Sequence, residues 1–356
     1  MIVLDNIIFE LQSFGGISSI WRNILKEAVA HSDMDIRILQ ARGQREEFAG
    51  ARGKTVPVIE ESGPLLWRRF KPLRLTQAPR VFHSSYFRVN ETKFTRNVVT
   101  VHDCVAEKFD SGMRRALHLF QKRRALRQAA SIITVSQNTK DDLLKFYPWI
   151  EPDKVRVIHN GIDLEFFFPL PVDNHALPAN KKILVYVGAR GLHKNFGMAL
   201  RLLSTETACD LGLTLQVVGG SAFSTAEQKL MNELGLEHKV TRLQNVAVSM
   251  LRDIYRSAYA LIYPSLYEGF GIPPVEAMAC GCPVICSNTS SIPEVVGDAA
   301  ELFDPHDLES AERALQGIAK GADRAILITN GITRASRFSD RIMARRTVEL
   351  YKTLDD

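Results

Sequence analysis

Glu268 and Glu276 stand eight positions apart in the run EGFGIPPVE, either side of a turn in which Gly269 and Gly271 flank Phe270. A carboxylate accepts hydrogen bonds, and two of them cannot hold a phosphate; their natural partners are the paired donors of vicinal sugar hydroxyls. The N-terminus of the helix that opens from this glycine turn suits an anion instead. Arg190 and Lys194 add two cations in VGARGLHKN, a stretch with no acid between Asp173 and Glu206, so the reading expects them to face a diphosphate rather than a salt bridge. Phosphate flanked by sugar hydroxyls is the shape of a nucleotide sugar.

The elements that must position these residues read as strand, glycine turn, helix, strand. Ala260–Tyr263 is an apolar run of strand length, ended by Pro264 and Ser265. Pro273 and Pro274 suit the first positions of a helix, where a missing N–H costs nothing. Gly281 and Pro283 close that helix before a strand at 284–286. The same cadence predicts strands at 183–187, 213–219 and 240–246 with helices at 225–234 and 249–257, the alternation of a parallel sheet covered by helices. Further helices are expected at 307–319 and 322–331, and an amphipathic one at the end.

The first half repeats the opening. After a strand at the start, FGGISSIWRNILKEAV places Gly15 and Gly16 before a helix that Ser18 or Ser19 would cap, with Ile20, Ile24, Leu25 and Val29 on its apolar face. Neither glycine turn has the GxGxxG spacing, which excludes a dinucleotide-binding dehydrogenase fingerprint. Strands are expected at 35–40, 80–84, 97–101 and 131–136. His102 and Asp103 then sit at the carboxyl end of a strand, where α/β proteins place chemistry. The helix at 113–129 is expected to place Ala116, Leu119, Phe120, Leu126 and Ala130 on or near an apolar side, and its arginines and Lys122 on a basic side facing a phosphate-bearing acceptor or water. Residues 166–182 hold three prolines and no periodicity, as a linker does.

The chain has 356 residues, 46% of them apolar, enough for two cores. No run approaches the roughly 18 apolar residues of a membrane span, and MIVLDNIIF reads as a strand rather than a signal sequence, so a cytoplasmic protein is expected. Its five cysteines are read as small buried residues in a reducing compartment, and Cys280, Cys282 and Cys286 lack the fourth ligand of a zinc site. Residues 1–180 carry net +6 and residues 181–356 net −1. In the basic half, LLWRRFKPLRL interleaves Trp67 and Phe70 with Arg68, Arg69, Lys71 and Arg74, a composition suited to an anionic membrane surface. No nucleic-acid motif accompanies the charge, so no nucleic-acid partner is expected.

Taken together, EGFGIPPVE, GGI at 15–17, VHD at 101–103, TVSQNTKDDL at 134–143, HNGID at 159–163, VGARGLHKN at 187–195 and IPEVVGDAA at 292–300 resemble the retaining glycosyltransferases of family 4, which have the GT-B fold. The resemblance spans nearly the whole chain. It implies two Rossmann-like α/β domains facing a cleft: 1–166 on the acceptor side, a linker at 167–182, a nucleotide-sugar domain at 183–337, and a helix at 338–356 crossing back to the first. By the same resemblance, Glu276 accepts from the ribose and Glu268 faces the transferred sugar, while Arg190 and Lys194 neutralise the diphosphate. Gly15 and Gly16 let the first loop approach it, His102 contacts the sugar, and the loop at Val246 lies near the base. The donor implied is GDP-mannose, with UDP-hexoses and GDP-deoxyhexoses as alternatives, and the acceptor is a glycan carried on a polyprenyl diphosphate, as in O-antigen synthesis. No cofactor or metal is implied, since Arg190 and Lys194 would do that electrostatic work. A non-catalytic nucleotide-sugar-binding subunit is the alternative from another class.

Overall fold

The computed structural model describes residues 1–12, 15–31, 34–44, 56–170 and 182–355. Most of the proline-rich stretch, 171–181, and residues 52–55 of the basic region lie outside the described residues. The chain divides into two compact units, Met1–Gly161 with Asp340–Asp356, and Ile162–Ser339. Those divisions fall after 161 and 339, where the sequence reading places them after 166 and 337.

The first unit is built on a parallel sheet of β1 (Ile2–Asp5), β2 (Ile36–Ala41), β3 (Val58–Glu61), β4 (Val81–Ser84), β5 (Arg96–Val101), β6 (Ala129–Thr134) and β7 (Val155–Val157), in the order β3-β2-β1-β4-β5-β6-β7. Its central strands are buried on both faces, as crossover helices require. The order reverses direction between β1 and β4. The last helix, Asp340–Asp355, belongs to this unit and packs on the helix Gly16–Ala30. Tyr351 is its anchor: fully buried, it places its hydroxyl 2.5 Å from His83 Nδ1, and Trp21 meets the same imidazole edge-on at 5.0 Å. The expected return of the C-terminal helix to the first unit is therefore present.

The second unit holds β8 (Ile183–Val187), β9 (Thr214–Val218), β10 (Val240–Leu243), β11 (Ala260–Tyr263), β12 (Val284–Ser287) and β13 (Glu301–Phe303), all parallel, in the order β10-β9-β8-β11-β12-β13. Leu184, Leu215, Ile262 and Ile285 on the sheet pack with Leu200, Leu203 and Leu315 from covering helices into one core. Burying a side chain of this kind contributes roughly 1.5–3 kcal/mol. Here the order reverses between β8 and β11.

Several local expectations are corrected. Ser18 does not cap the helix Gly16–Ala30, whose N-cap is Gly15; its buried hydroxyl instead donates back to the Gln12 carbonyl. On the helix Gly112–Gln128, Phe120 and Ala116 face solvent, whereas Lys122 is buried, paired with Glu107 at 2.7 Å and donating to the Asp103 carbonyl. Cys209 is exposed; the other four cysteines are buried. Arg68 points inward to Glu10 rather than outward with its neighbours.

Candidate active site

In a doubly wound sheet the crevice for ligands opens where the strand order reverses, at the carboxyl ends of the two strands concerned. For the second unit these are β8 and β11. Gly188, at φ +128°, leads out of β8, and the chain turns through Leu192–Lys194 to Asn195, a left-handed residue whose amide donates to the Pro305 carbonyl at 2.9 Å. Leu266, beyond β11, donates its N–H to the His193 carbonyl at 2.7 Å and so ties the two loops together. Across this junction Lys194 Nζ meets both oxygens of Glu268, at 2.6 and 2.9 Å. Tyr263, the last residue of β11, hydrogen-bonds the same carboxylate, and its ring lies 5.7 Å from the ammonium. Burial, then the negative Glu268, push the Tyr263 hydroxyl well above its ordinary range, so it stays a donor.

The turn that follows is held from a third strand. Beyond β12, Ser290 accepts from the Glu268 N–H at 2.9 Å, and Ser291 donates to the carbonyls of Glu268 and Phe270 at 2.9 and 3.1 Å. Thr289 reaches the carbonyls of Ser265 and Leu266. Phe270 is buried edge-on against Phe338 at 5.4 Å. Gly271 adopts φ +100°, where a side chain is strained although a Cβ would meet only ordinary contacts. The helix Ile272–Ala279 starts there with no side-chain cap. Because Pro273 and Pro274 carry no N–H, the unpaired donors of a normal first turn reduce to those of Gly271 and Ile272. A first turn of this composition offers two N–H donors rather than the four of a full helix terminus.

Glu276 lies on the inner part of that helix and accepts from the Tyr255 hydroxyl at 3.0 Å. Burial raises its carboxyl to about 7, against the pull of the Tyr255 hydrogen bond. Arg190 corrects the expectation of a cation without an acidic partner: its Nε bonds Glu227 at 2.8 Å and its terminal nitrogens donate to the carbonyls of Ser221 and Ala222 at 2.6 and 2.9 Å. Glu227 is already the third residue of a capping box closed by Ser224. Burial alone would raise its carboxyl, but the Ser224 N–H and hydroxyl, with Arg190, hold it below its ordinary value. Lys194 corrects the same expectation, since it too is ion-paired.

The structure therefore brings together Lys194, Glu268 and the 269–272 turn, with Glu276 one turn further along. Val246 is half-buried in the loop after β10, beside Asn245 at φ +50°. His102, Gly15 and Gly16 belong to the first unit. Gly15 and Gly16 are exposed at a helix start. His102 has its Nδ1 buried without a partner, and burial lowers its ring to about 4, so it is neutral. Sequence reasoning missed Tyr255, Tyr263, Ser290, Ser291 and Glu227. The consecutive hydroxyls of Thr289, Ser290 and Ser291 at a strand end are the signal that was there to be read.

Residues 14–166 match the family described as Glycosyltransferase Family 4, and residues 172–334 match Glycosyl transferases group 1. The O-antigen chain mannosyltransferase RfbU of Salmonella typhimurium is 31% identical over 66% of this chain, a stretch that spans 64% of that protein, just under two thirds of its length. The O-antigen chain mannosyltransferase B of Escherichia coli is 28% identical over 89% of this chain and 88% of its own. Among solved structures, the sucrose-phosphate synthase of Thermosynechococcus elongatus superposes with a TM-score of 0.73 at 21% identity, covering 99% of this chain and 98% of that one, which is a likeness of fold. With one match on each half and a fold common to both sheets, the chain belongs to the family 4 glycosyltransferases and has the GT-B fold.

Proposed function

We propose that this protein transfers a hexose, mannose from GDP-mannose, with retention of configuration to a hydroxyl of a growing surface glycan. The observation that carries the reading is the meeting of Lys194 with Glu268 at the strand-order reversal, beside the two N–H donors of Gly271 and Ile272. Mannose and O-antigen enter from the two bacterial relatives, whose names give that activity to them.

In this reading Glu276 accepts from the ribose hydroxyls and Glu268 orients both Lys194 and the sugar. Gly15 and Gly16 offer bare backbone to the diphosphate, and the loop at Val246 lies near the base. The bond from the sugar C1 to the β-phosphate oxygen breaks as the bond from C1 to the acceptor oxygen forms on the same face. The acceptor proton passes to the departing phosphate. Charge grows on that phosphate, and a fixed cation with directed N–H donors stabilises it most there. Lys194 is the cation assigned to this work, which is why no metal is required. Arg190, held by Glu227 and backbone carbonyls, is assigned to shaping the neighbouring loop. His102, being neutral, is assigned a hydrogen bond to the transferred sugar. The acceptor is taken to be lipid-linked, so the protein works at the cytoplasmic face of a membrane; no helix among the described residues is long and apolar enough to cross one.

The test is a thermal-shift panel of nucleotide sugars followed by nucleoside diphosphate release. The expected result is stabilisation by one donor above the others, and release that depends on a lipid-linked glycan. Stabilisation without release on any acceptor would favour a non-catalytic donor-binding subunit.

A further inference from the structure

Two helices of the first unit lie side by side with their outer faces open. Arg69 Nε donates to the Gln121 side chain and Gln121 returns a bond to the Arg69 carbonyl, both at 2.9 Å, while Arg124 donates to the Phe70 carbonyl at 3.0 Å. These bonds fix the helix Leu65–Phe70 against Gly112–Gln128. On the first, Leu66 and Trp67 are 70% and 60% exposed, and with Phe70 they line an open groove of about 870 Å³. On the second, Met113, Leu117 and Phe120 recur at helical spacing on the solvent side, and Phe120 is 62% exposed. Large apolar side chains concentrated on one surface mark an interaction site.

A sixth apolar residue extends the surface. Phe94 is 95% exposed and held at φ +68°, a conformation that a bulky residue rarely adopts. Its turn is fastened by the buried Asn90, whose amide bonds Thr95, and by Glu91, whose N–H bonds the Leu73 carbonyl and whose carboxylate takes Arg124 at 2.6 Å. The phenyl ring is thus presented outward by a built turn tied to the longer helix through Arg124 and to the chain just after the shorter one through Leu73.

Charge decides what this surface meets. Neither 64–80 nor 111–128 contains an acid. Lys71 sits over the Trp67 ring at 4.6 Å, and the outer face of the longer helix turns cationic after Phe120, with Arg123 and Arg127 exposed. Exposed aromatics bordered by cations, of which Lys71, Arg123 and Arg127 meet no acid among the ion pairs of the described residues, match the interface of a bilayer carrying anionic headgroups, where rings enter the acyl boundary and ammonium or guanidinium groups stay at the phosphates. We propose that this face, made by Leu66, Trp67, Phe94, Met113, Leu117 and Phe120 with their flanking cations, docks the protein on an anionic lipid bilayer. The proposal deepens the membrane clause of the previous reading and locates it.

The test is co-sedimentation of the full-length protein with phosphatidylcholine vesicles, with and without phosphatidylglycerol. Two variants accompany it: Trp67→Ser with Phe120→Ser, and Lys71→Gln with Arg123→Gln and Arg127→Gln. Wild type should sediment with the anionic vesicles only. Binding should fall about fivefold for each cation removed and about tenfold or more for the apolar pair. Equal binding by wild type and both variants overturns the choice of face, and no binding by wild type overturns the docking itself. Loss in the charge variant with full binding in the apolar variant overturns insertion of the aromatic residues and leaves adsorption by charge alone. Donor-induced thermal shifts on the same samples separate the two readings: vesicle binding without any donor response sustains this inference and removes the transferase assignment.

Discussion

The two sheets reverse their strand order at equivalent places, yet the two reversal points are occupied in opposite ways. Between β1 and β4 the end residues Asp5 and Ser84 face each other in register and hydrogen-bond at 2.8 Å. Arg88 then bridges Asp5 at 3.1 Å and Glu61 at 2.7 Å, and Arg68 joins Glu61 to Glu10. The side chains of Arg88 and Asp5 are 3% and 1% exposed. Burial pushes the Asp5 carboxyl up, opposed by Arg88 and Ser84. Between β8 and β11, by contrast, one ion pair among the described residues spans the gap, and Lys194 and Glu268 keep 21% and 11% of their side-chain surface. The same topology is closed by buried charges in one unit and keeps a partly exposed pair in the other, the pair that the proposed function gives to a ligand. A crevice at a strand reversal is therefore an opportunity, and the charge left unburied there shows whether it is used.

The difference is broken most directly by removing the cation on each side. Arg88→Met leaves the buried Asp5 without its cation, and deleting one member of such a pair typically costs about 3–5 kcal/mol. Chemical denaturation should show that loss, with donor affinity per folded molecule unchanged. Lys194→Met should do the reverse: turnover falls by about 10²–10³, the cost of removing one preorganised charge from a transition state, with a small change in denaturation midpoint. If Lys194→Met unfolds the protein while Arg88→Met abolishes transfer from an intact fold, the assignment of roles is inverted.

Sequence reading reached the framework because the relevant signals are local. The strand ending at Tyr263, the glycine turn, the two prolines and Gly281 all act within a few residues of themselves, and the structure places the helix at Ile272–Ala279 as those signals demand. What was not legible depends on distant partners. Arg190 and Lys194 looked unpaired because their acids, Glu227 and Glu268, lie 37 and 74 positions away. Phe120 looked like core because apolar residues surround the helix at several angles, and only its neighbours decide which face is covered. Lys122 is the mirror case, buried because Glu107 and the Asp103 carbonyl receive it. The edge strand β3 is short and ends in two acids, which hides its pattern.

Smaller effects sharpen the comparison through protons. Glu276 carries a carboxyl raised from 4.5 to about 7, and in its proposed role only the carboxylate would accept from two ribose hydroxyls. Binding a nucleotide sugar below that value must expel a proton, so calorimetry should find affinity about tenfold lower at pH 6 than at pH 8, with the proton released to buffer. The unliganded protein moves the other way: a carboxyl raised on folding stabilises most below pH 4.5, and its contribution is lost as pH rises through about 7.

Tyr255→Phe tests the cause of that midpoint with the least disturbance. The hydroxyl donates to Glu276 at 3.0 Å and favours its ionised form; without it, burial acts unopposed and the midpoint of the affinity profile should move to higher pH. Affinity at pH 8 should then fall modestly, by roughly the 1.5–3 kcal/mol of one hydrogen bond to a charged group at most. The ring stays in place, so packing against Phe167 at 6.4 Å is retained and the fold should be unaffected. A profile that keeps its midpoint in this variant would mean that the titrating group is not Glu276. The acid read as the ribose acceptor would then have to be sought elsewhere in the second unit, and the open reversal point would lose half of the donor site assigned to it.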